Sequence, residues 1–252
     1  MASSQMEHSA SSLKSAQLNA IYRMLDFNGD YESNGGINNR SSNGSTPSSS
    51  LSKLNQSHHH QWKILIYDTT CRSIISPILS VQQLRRKCNV TLHLLLNSDR
   101  EAISDVPAIY FVLPTRENLI RIAQDCYQQL YARMHLNFVT KLERPLMEEF
   151  AKLLIQSNIT TSTAMSASPL SQIASIHDQY LNYICYEDQL FTLNISNSYI
   201  QYNNNQSSEQ MIDTYMTNIS YGLFSIISSL GQIPIIRCPK VCCIFLFSSR
   251  GQ

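Results

Sequence analysis

The stretch from Asn97 to Asn118, NSDREAISDVPAIYFVLPTREN, constrains the fold more than any other part of the chain. It closes one apolar run in a charged turn, passes Pro107 into a second run, AIYFVLP, and opens a helix at Thr115. Short runs rich in aromatic and branched side chains, alternating with amphipathic segments, form the pattern of a parallel α/β sheet covered on both faces. Yet no glycine falls between Gly44 and Gly222. A backbone approaches a pyrophosphate closely only through residues lacking Cβ, so this sheet is a poor phosphate cradle. The expectation is a sheet that presents a surface.

Hydrophobic residues make up 43% of the 252, enough for a substantial core, and the formal net charge of +1 disfavours nucleic acid or anionic lipid as partner. The first five of the seven cysteines (Cys71, Cys88, Cys126, Cys185, Cys238) fall in no zinc-like spacing, and the set reads as reduced thiols of a cytosolic chain. MASSQMEHSASSLKS has no apolar signal core, and no window approaches the roughly twenty apolar residues that cross a bilayer. Neither a cofactor nor a metal is expected.

Leu13, Leu18, Ile21, Met24 and Leu25 recur at helical spacing, so residues 1–27 are read as an N-terminal helical segment. Residues 28–61, rich in Gly, Ser and Asn, read as a disordered linker that includes the triplet His58 to His60. The first α/β domain is placed at 62–157. Its strands are WKILIYD, VTLHLLL, AIYFVLP and HLNFV, and SIISPILSVQQLRRK reads as one helix. After the Thr115 cap, a helix carries Leu119, Ile122, Ala123, Cys126, Leu130 and Met134, and ERPLMEEFAKLLI forms another. Beyond a Ser/Thr/Ala stretch from Ser157 to Ser168, an incomplete second α/β domain is placed at 158–238. It comprises a helix SQIASIHDQYLNYICY, a strand LFTLNI, a helix from Glu209 to Leu230 and a strand QIPIIRC. Residues 239–252 form a tail. The fold class is therefore α/β, a parallel-sheet first domain with flanking helices followed by a partial second unit.

Together and in order, WKILIYD, LHLLLNSDR, SDVPAIYFVLPTRENL, HDQYLNYI and IPIIRC resemble the Sec-one/Munc-eighteen (SM) family, in its Sly-one branch, from about Leu13 to Cys238. The resemblance implies a non-enzymatic, cytoplasmic protein, peripheral at ER and Golgi membranes through its SNARE partners. It would bind a syntaxin-type SNARE and the SNARE complex and regulate vesicle docking and fusion. It further implies that the first domain takes an N-terminal syntaxin peptide, with Met147, Phe150 and Ala151 from one helix and Ile173 and Ile176 from the next. Read from spacing alone, the stripe Met147, Phe150, Ala151, Leu154 fits a groove wall or a face packed on the sheet. Family members are longer, and the ending PKVCCIFLFSSRGQ departs from their pattern, which reads as a truncated or spliced terminus or a gene-model error.

Two alternatives remain at this level. A truncated form would sequester syntaxin without supporting fusion. A magnesium-dependent phosphoryl-handling domain would draw on Asp68, Asp99 and Asp105 near one sheet edge, although the chain has no Walker, GxGxxG or GxSxG string and aspartates commonly cap such turns. His93, His135 and His177 lack a second ligand at fixed spacing, and Asp178 is a candidate partner for Arg23 or Arg237.

Overall fold

The computed structural model describes residues 12–27, 61–156, 169–231 and 233–237. The expected linker, the His58 to His60 triplet, the Ser157 to Ser168 stretch and the tail lie outside the described residues, as does Cys238.

Five parallel strands form one sheet in the order β2-β1-β3-β4-β5: β1 Lys63–Tyr67, β2 Val90–Leu95, β3 Ala108–Val112, β4 Met134–Phe138 and β5 Ile173–Asp178. Strands β1 and β3 are buried at every position, as the continuous apolar runs require of strands covered on both faces. Alternation then divides the side chains between two cores. Ile64, Ile66, Tyr110, Val112, Leu136 and Phe138 point to one face, which α4 (Arg116–Tyr127) and α5 (Arg144–Gln156) cover with Leu119, Ile122, Phe150 and Leu154. Leu65, Tyr67, Ile109 and Phe111 point to the other, beneath α1 (Leu13–Leu25), α2 (Thr69–Ile75) and α3 (Val81–Cys88).

Segments from both ends of the sequence close that second face. Leu13, Ile21, Met24 and Leu25 of α1 pack with Leu181, Tyr183 and Cys185 and with Ile226 of α8 (Glu209–Leu230). Buried Gln17 donates from Nε2 to the Tyr183 carbonyl at 2.8 Å, and the Leu13 amide donates to the Asp188 carbonyl at 3.1 Å. Where α1 ends, Lys63 Nζ donates to the Leu25 carbonyl at 2.7 Å and stands 4.5 Å from the centre of the Phe27 ring, whose other neighbour is His135. A short hairpin, β6 (Ile184–Glu187) with β7 (Leu190–Thr192), and α7 (Ser198–Tyr202) lead into α8; α6 (Pro169–Gln172) precedes β5. In α8, Gly222 lets the helix approach the Asn182 carbonyl and Leu193; a Cβ there would lie 3.2 Å from the former and 2.7 Å from the latter.

Five expectations need correction. SIISPILSVQQLRRK is broken at Ser76 to Ser80, around Pro77, and restarts from a capping box of Ser80 with Gln83. The helix after Thr115 stops at Tyr127, so Leu130 lies beyond it and Met134 opens β4. SQIASIHDQYLNYICY is not a helix: Ile173 to Asp178 hydrogen-bond to β4 as the sheet's fifth strand, and Ile184 opens the hairpin. The domain boundary at 157 therefore cuts through one sheet. Finally, Ile233 to Arg237 run without strand pairing.

Candidate functional site

The carboxylates proposed for phosphoryl chemistry are dispersed. Asp68 caps α2 by accepting the Cys71 amide at 2.8 Å, and its other oxygen accepts from the Leu113 amide at 2.7 Å and Asn118 Nδ2 at 3.0 Å. Both oxygens are thus spent on joining β1, β3 and α4, while Asp99 and Asp105 sit exposed. Among the described residues no three metal-ligating side chains converge. Burial pushes the Cys88 thiol up to about 11 and the Cys126 thiol up to about 12, which keeps both protonated and inert as nucleophiles near neutrality.

The histidines serve the sheet. His93 Nδ1 pairs with the Tyr67 hydroxyl at 2.8 Å, and His135 Nδ1 with the Ser175 hydroxyl at 3.0 Å. Burial, together with the charges of Arg133, His177 and Lys63, holds His135 down at about 4. Asp178 accepts the Leu142 amide at 3.1 Å, where the sequence offers Arg23 or Arg237.

One charged cluster is not singled out by the sequence. Arg100, at the end of NSDR, grips Asp125 of α4 with two bonds of 2.7 and 2.9 Å, and both side chains are 1% exposed. The Tyr110 hydroxyl donates to the same carboxylate at 2.9 Å, and Arg100 also donates to the Leu96 carbonyl at 2.8 Å. Burial works against the guanidinium charge, but the Asp125 carboxylate outweighs it and holds Arg100 above its ordinary range. A signal does exist: Asp125 falls in the buried arc of α4 with Asn118 and Ile122, where a charge requires a partner. The cluster is closed to solvent and ties the β2–β3 connection to α4.

What remains open on this side of the sheet is the outer border, where α5 lies over β4 and β5. Along α5, Phe150 and Leu154 point into the core, each 2% exposed, with Leu146 and Leu153 packed partly beside them. One shoulder of the helix faces α4: Arg116 Nε meets Glu149 at 2.6 Å, and the Tyr127 hydroxyl donates to the Leu153 carbonyl. The opposite shoulder, turned from α4 towards the free border of β5, carries Met147, 44% exposed, and half-buried Ala151. On β5, Ile173 packs partly against the same core, and Ile176, 42% exposed, is paired with Leu136 and shares its face.

Of the five residues proposed for peptide binding, four have exposed or half-exposed side chains: Met147 and Ala151 on a helix shoulder, Ile173 and Ile176 on the edge strand. Phe150 is not among them. A phenylalanine at the centre of the inward stripe takes the packing role that spacing alone leaves open, and it fixes the height of α5 above the sheet.

A five-stranded parallel sheet with helices on both faces defines an α/β domain. Residues 63–244 match the Sec1 family, and the chain belongs to that family. It is 43% identical over 183 residues to the mouse Sec1 family domain-containing protein 1, covering 71% of this chain and 27% of the relative. It is 39% identical over 179 residues to SEC1 family transport protein SLY1 of Arabidopsis thaliana, again 71% of this chain and 27% of the relative. The crystal structure of Sly1p in complex with an N-terminal peptide of Sed5p superposes with a TM-score of 0.72 at 34% identity, covering 91% of this chain and 35% of that one. The chain thus spans about a quarter of the length of the curated relatives it matches.

Proposed function

We propose that this chain carries the peptide-binding part of an SM-type regulator of vesicle docking and fusion in ER–Golgi transport, acting by binding and without catalysis. Its partner is a syntaxin-type SNARE, whose N-terminal peptide lies on the strip formed by Met147, Ala151, Ile173 and Ile176. Its place is the cytoplasmic surface of ER and Golgi membranes, reached through the SNARE. Among the described residues no helix is long and apolar enough to cross a membrane.

The observation that carries this reading is that α5 and the edge strand β5 leave apolar side chains exposed, in a chain similar over most of its length to Sly1p, which was crystallised with a peptide of Sed5p. Half-exposed Met147 and Ile176 contribute little to folding and are available to a ligand. Covering an exposed isoleucine contributes roughly 1–2 kcal/mol, so two or three such contacts suit a reversible peptide anchor. Titration calorimetry with the Sed5p N-terminal peptide tests it. Ile176→Asp is expected to weaken binding at least tenfold with the circular dichroism spectrum unchanged. Full affinity in both Ile176→Asp and Ala151→Asp would refute the site.

A further inference from the structure

The helices α7 and α8 meet along an apolar groove. Tyr199 and Tyr202 from one and Tyr215, Met216 and Ile219 from the other line a cavity of about 280 Å³. Tyr199 is 81% exposed, and the apolar surface continues from Met216 along α8 to exposed Leu223, two turns further on. The helix is seated on the fold by other residues, Gly222, Ser225 and Ile226, which are its buried ones. The rim of the groove is acidic. Exposed Glu209 and Asp213 precede Met216 by two helical steps of four and three residues, so both carboxylates stand on the side of α8 that borders the groove. No lysine or arginine occurs between Lys152 and Arg237. An apolar groove with an acidic rim and no competing cation selects an apolar segment flanked by positive charge.

We infer that this groove is the seat of the chain's own C-terminal segment, residues 241–247. That segment reads VCCIFLF, apolar throughout, and Arg237, Lys240 and Arg250 flank it with no acidic residue between 237 and 252. It complements the groove both in apolarity and in charge. The reach suffices: from Leu230 back to Met216 the helix rises about 21 Å, and residues 231–240 span up to about 33 Å when extended. Tethering supplies an effective concentration in the millimolar range, so a contact too weak to hold a free peptide is populated within one chain. Tyrosine and methionine line the groove, and these side chains adapt well to an irregular apolar partner. Seated there, the segment covers an apolar ridge that otherwise invites association between copies. The groove is built from α7 and α8 alone, so the inference does not rest on the peptide-binding reading of α5 and β5.

The full chain with the photoreactive residue p-benzoylphenylalanine in place of Tyr199, irradiated and then digested, tests the seat by mass spectrometry. Crosslinks are expected within residues 241–247 of the same chain, whereas the same probe in place of Gln82, exposed on α3, should give none there. Asp213→Lys reverses part of the rim and should lower the crosslinked yield about threefold, with the melting temperature unchanged because the side chain is exposed. Phe245→Asp together with Phe247→Asp leaves α7 and α8 untouched and should abolish the crosslink. Crosslinks from position 199 that miss the segment, or equal yields from positions 199 and 82, would overturn the inference. So would a yield that survives the two aspartates, or a crosslink to a second copy that rises with protein concentration.

Discussion

Replacing Asp125 with alanine tests how the scaffold handles its buried charge. The substitution leaves the Arg100 guanidinium, 1% exposed, without its bidentate partner. Breaking a buried pair by removing one member costs about 3–5 kcal/mol, and the Tyr110 hydroxyl loses its acceptor as well, adding about 1 kcal/mol. A loss near 5 kcal/mol corresponds to a fall in Tm of about 10–20 °C for a chain of this size. Removing both charges, in Asp125→Ala with Arg100→Met, abolishes the orphaned cation and is expected to recover about half of the loss, because the space is refilled by apolar atoms. Urea denaturation followed by far-UV circular dichroism measures all members of the cycle. Effects of the two single substitutions that add to within about 0.5 kcal/mol in the double variant would refute the coupling, as would a loss below about 1 kcal/mol for Asp125→Ala.

Other perturbations address separate parts of the molecule. Above pH 6.5 His135 is neutral folded and unfolded, so it has no effect there; between 6.5 and about 4 the unfolded chain takes up a proton that the folded one refuses. Stability should fall across that window by at most about 3 kcal/mol, less after solvent screening at this half-buried site, and His135→Asn should flatten this part of the pH profile in urea titrations. Phe150→Ala should cost about 3–5 kcal/mol by opening a cavity under α5, a loss read in melting temperature before any effect on peptide binding is interpreted. Lys63→Met removes the bond to the Leu25 carbonyl and the cation over Phe27, and amide exchange should then speed up in α1 ahead of the sheet. Gly222→Leu should destabilise by about 2 kcal/mol, since the new side chain meets the Asn182 carbonyl, whereas an equal Tm would show that α8 shifts freely.

Elements bounded by local chemistry are legible in the residues themselves. The helix α8 begins after the Ser208 cap and ends at Gly231, whose φ of 63° suits glycine, and the sequence places the helix within the same limits. Limits without such markers are not legible. Gln129 ends the α4 turn at a φ of 51° without being a glycine, so the helical spacing runs on to Met134 although the helix does not. The strand β5 resembles a helix in sequence because Ile173 and Ile176 stand three apart, and the register shift between Met134 and His135 lets both face one side of the sheet. Pairing with β4 decides its conformation, and that contact is non-local.

The proposed peptide site is legible only in part, for the same reason. Resemblance points to Met147, Phe150, Ala151, Ile173 and Ile176, but whether Phe150 faces outward or into the core depends on which shoulder of α5 meets α4. Burial of Phe150 and Leu154 sets that orientation, and the exposed Arg116 to Glu149 contact marks the shoulder that meets α4.

Closure of the sheet's second face by α1 and α8 has a consequence for the order of assembly. Gln17 is bonded to Tyr183, and Leu13 and Ile226 belong to one cluster, so a ribosome must deliver nearly the whole described chain before its first helix has a complete seat. Until then the apolar stripe of α1 is bare, although α2 and α3 already cover part of that face of the sheet. Such distant pairings slow folding and leave the nascent chain open to association, so the α1 segment is where a chaperone would be needed longest during synthesis.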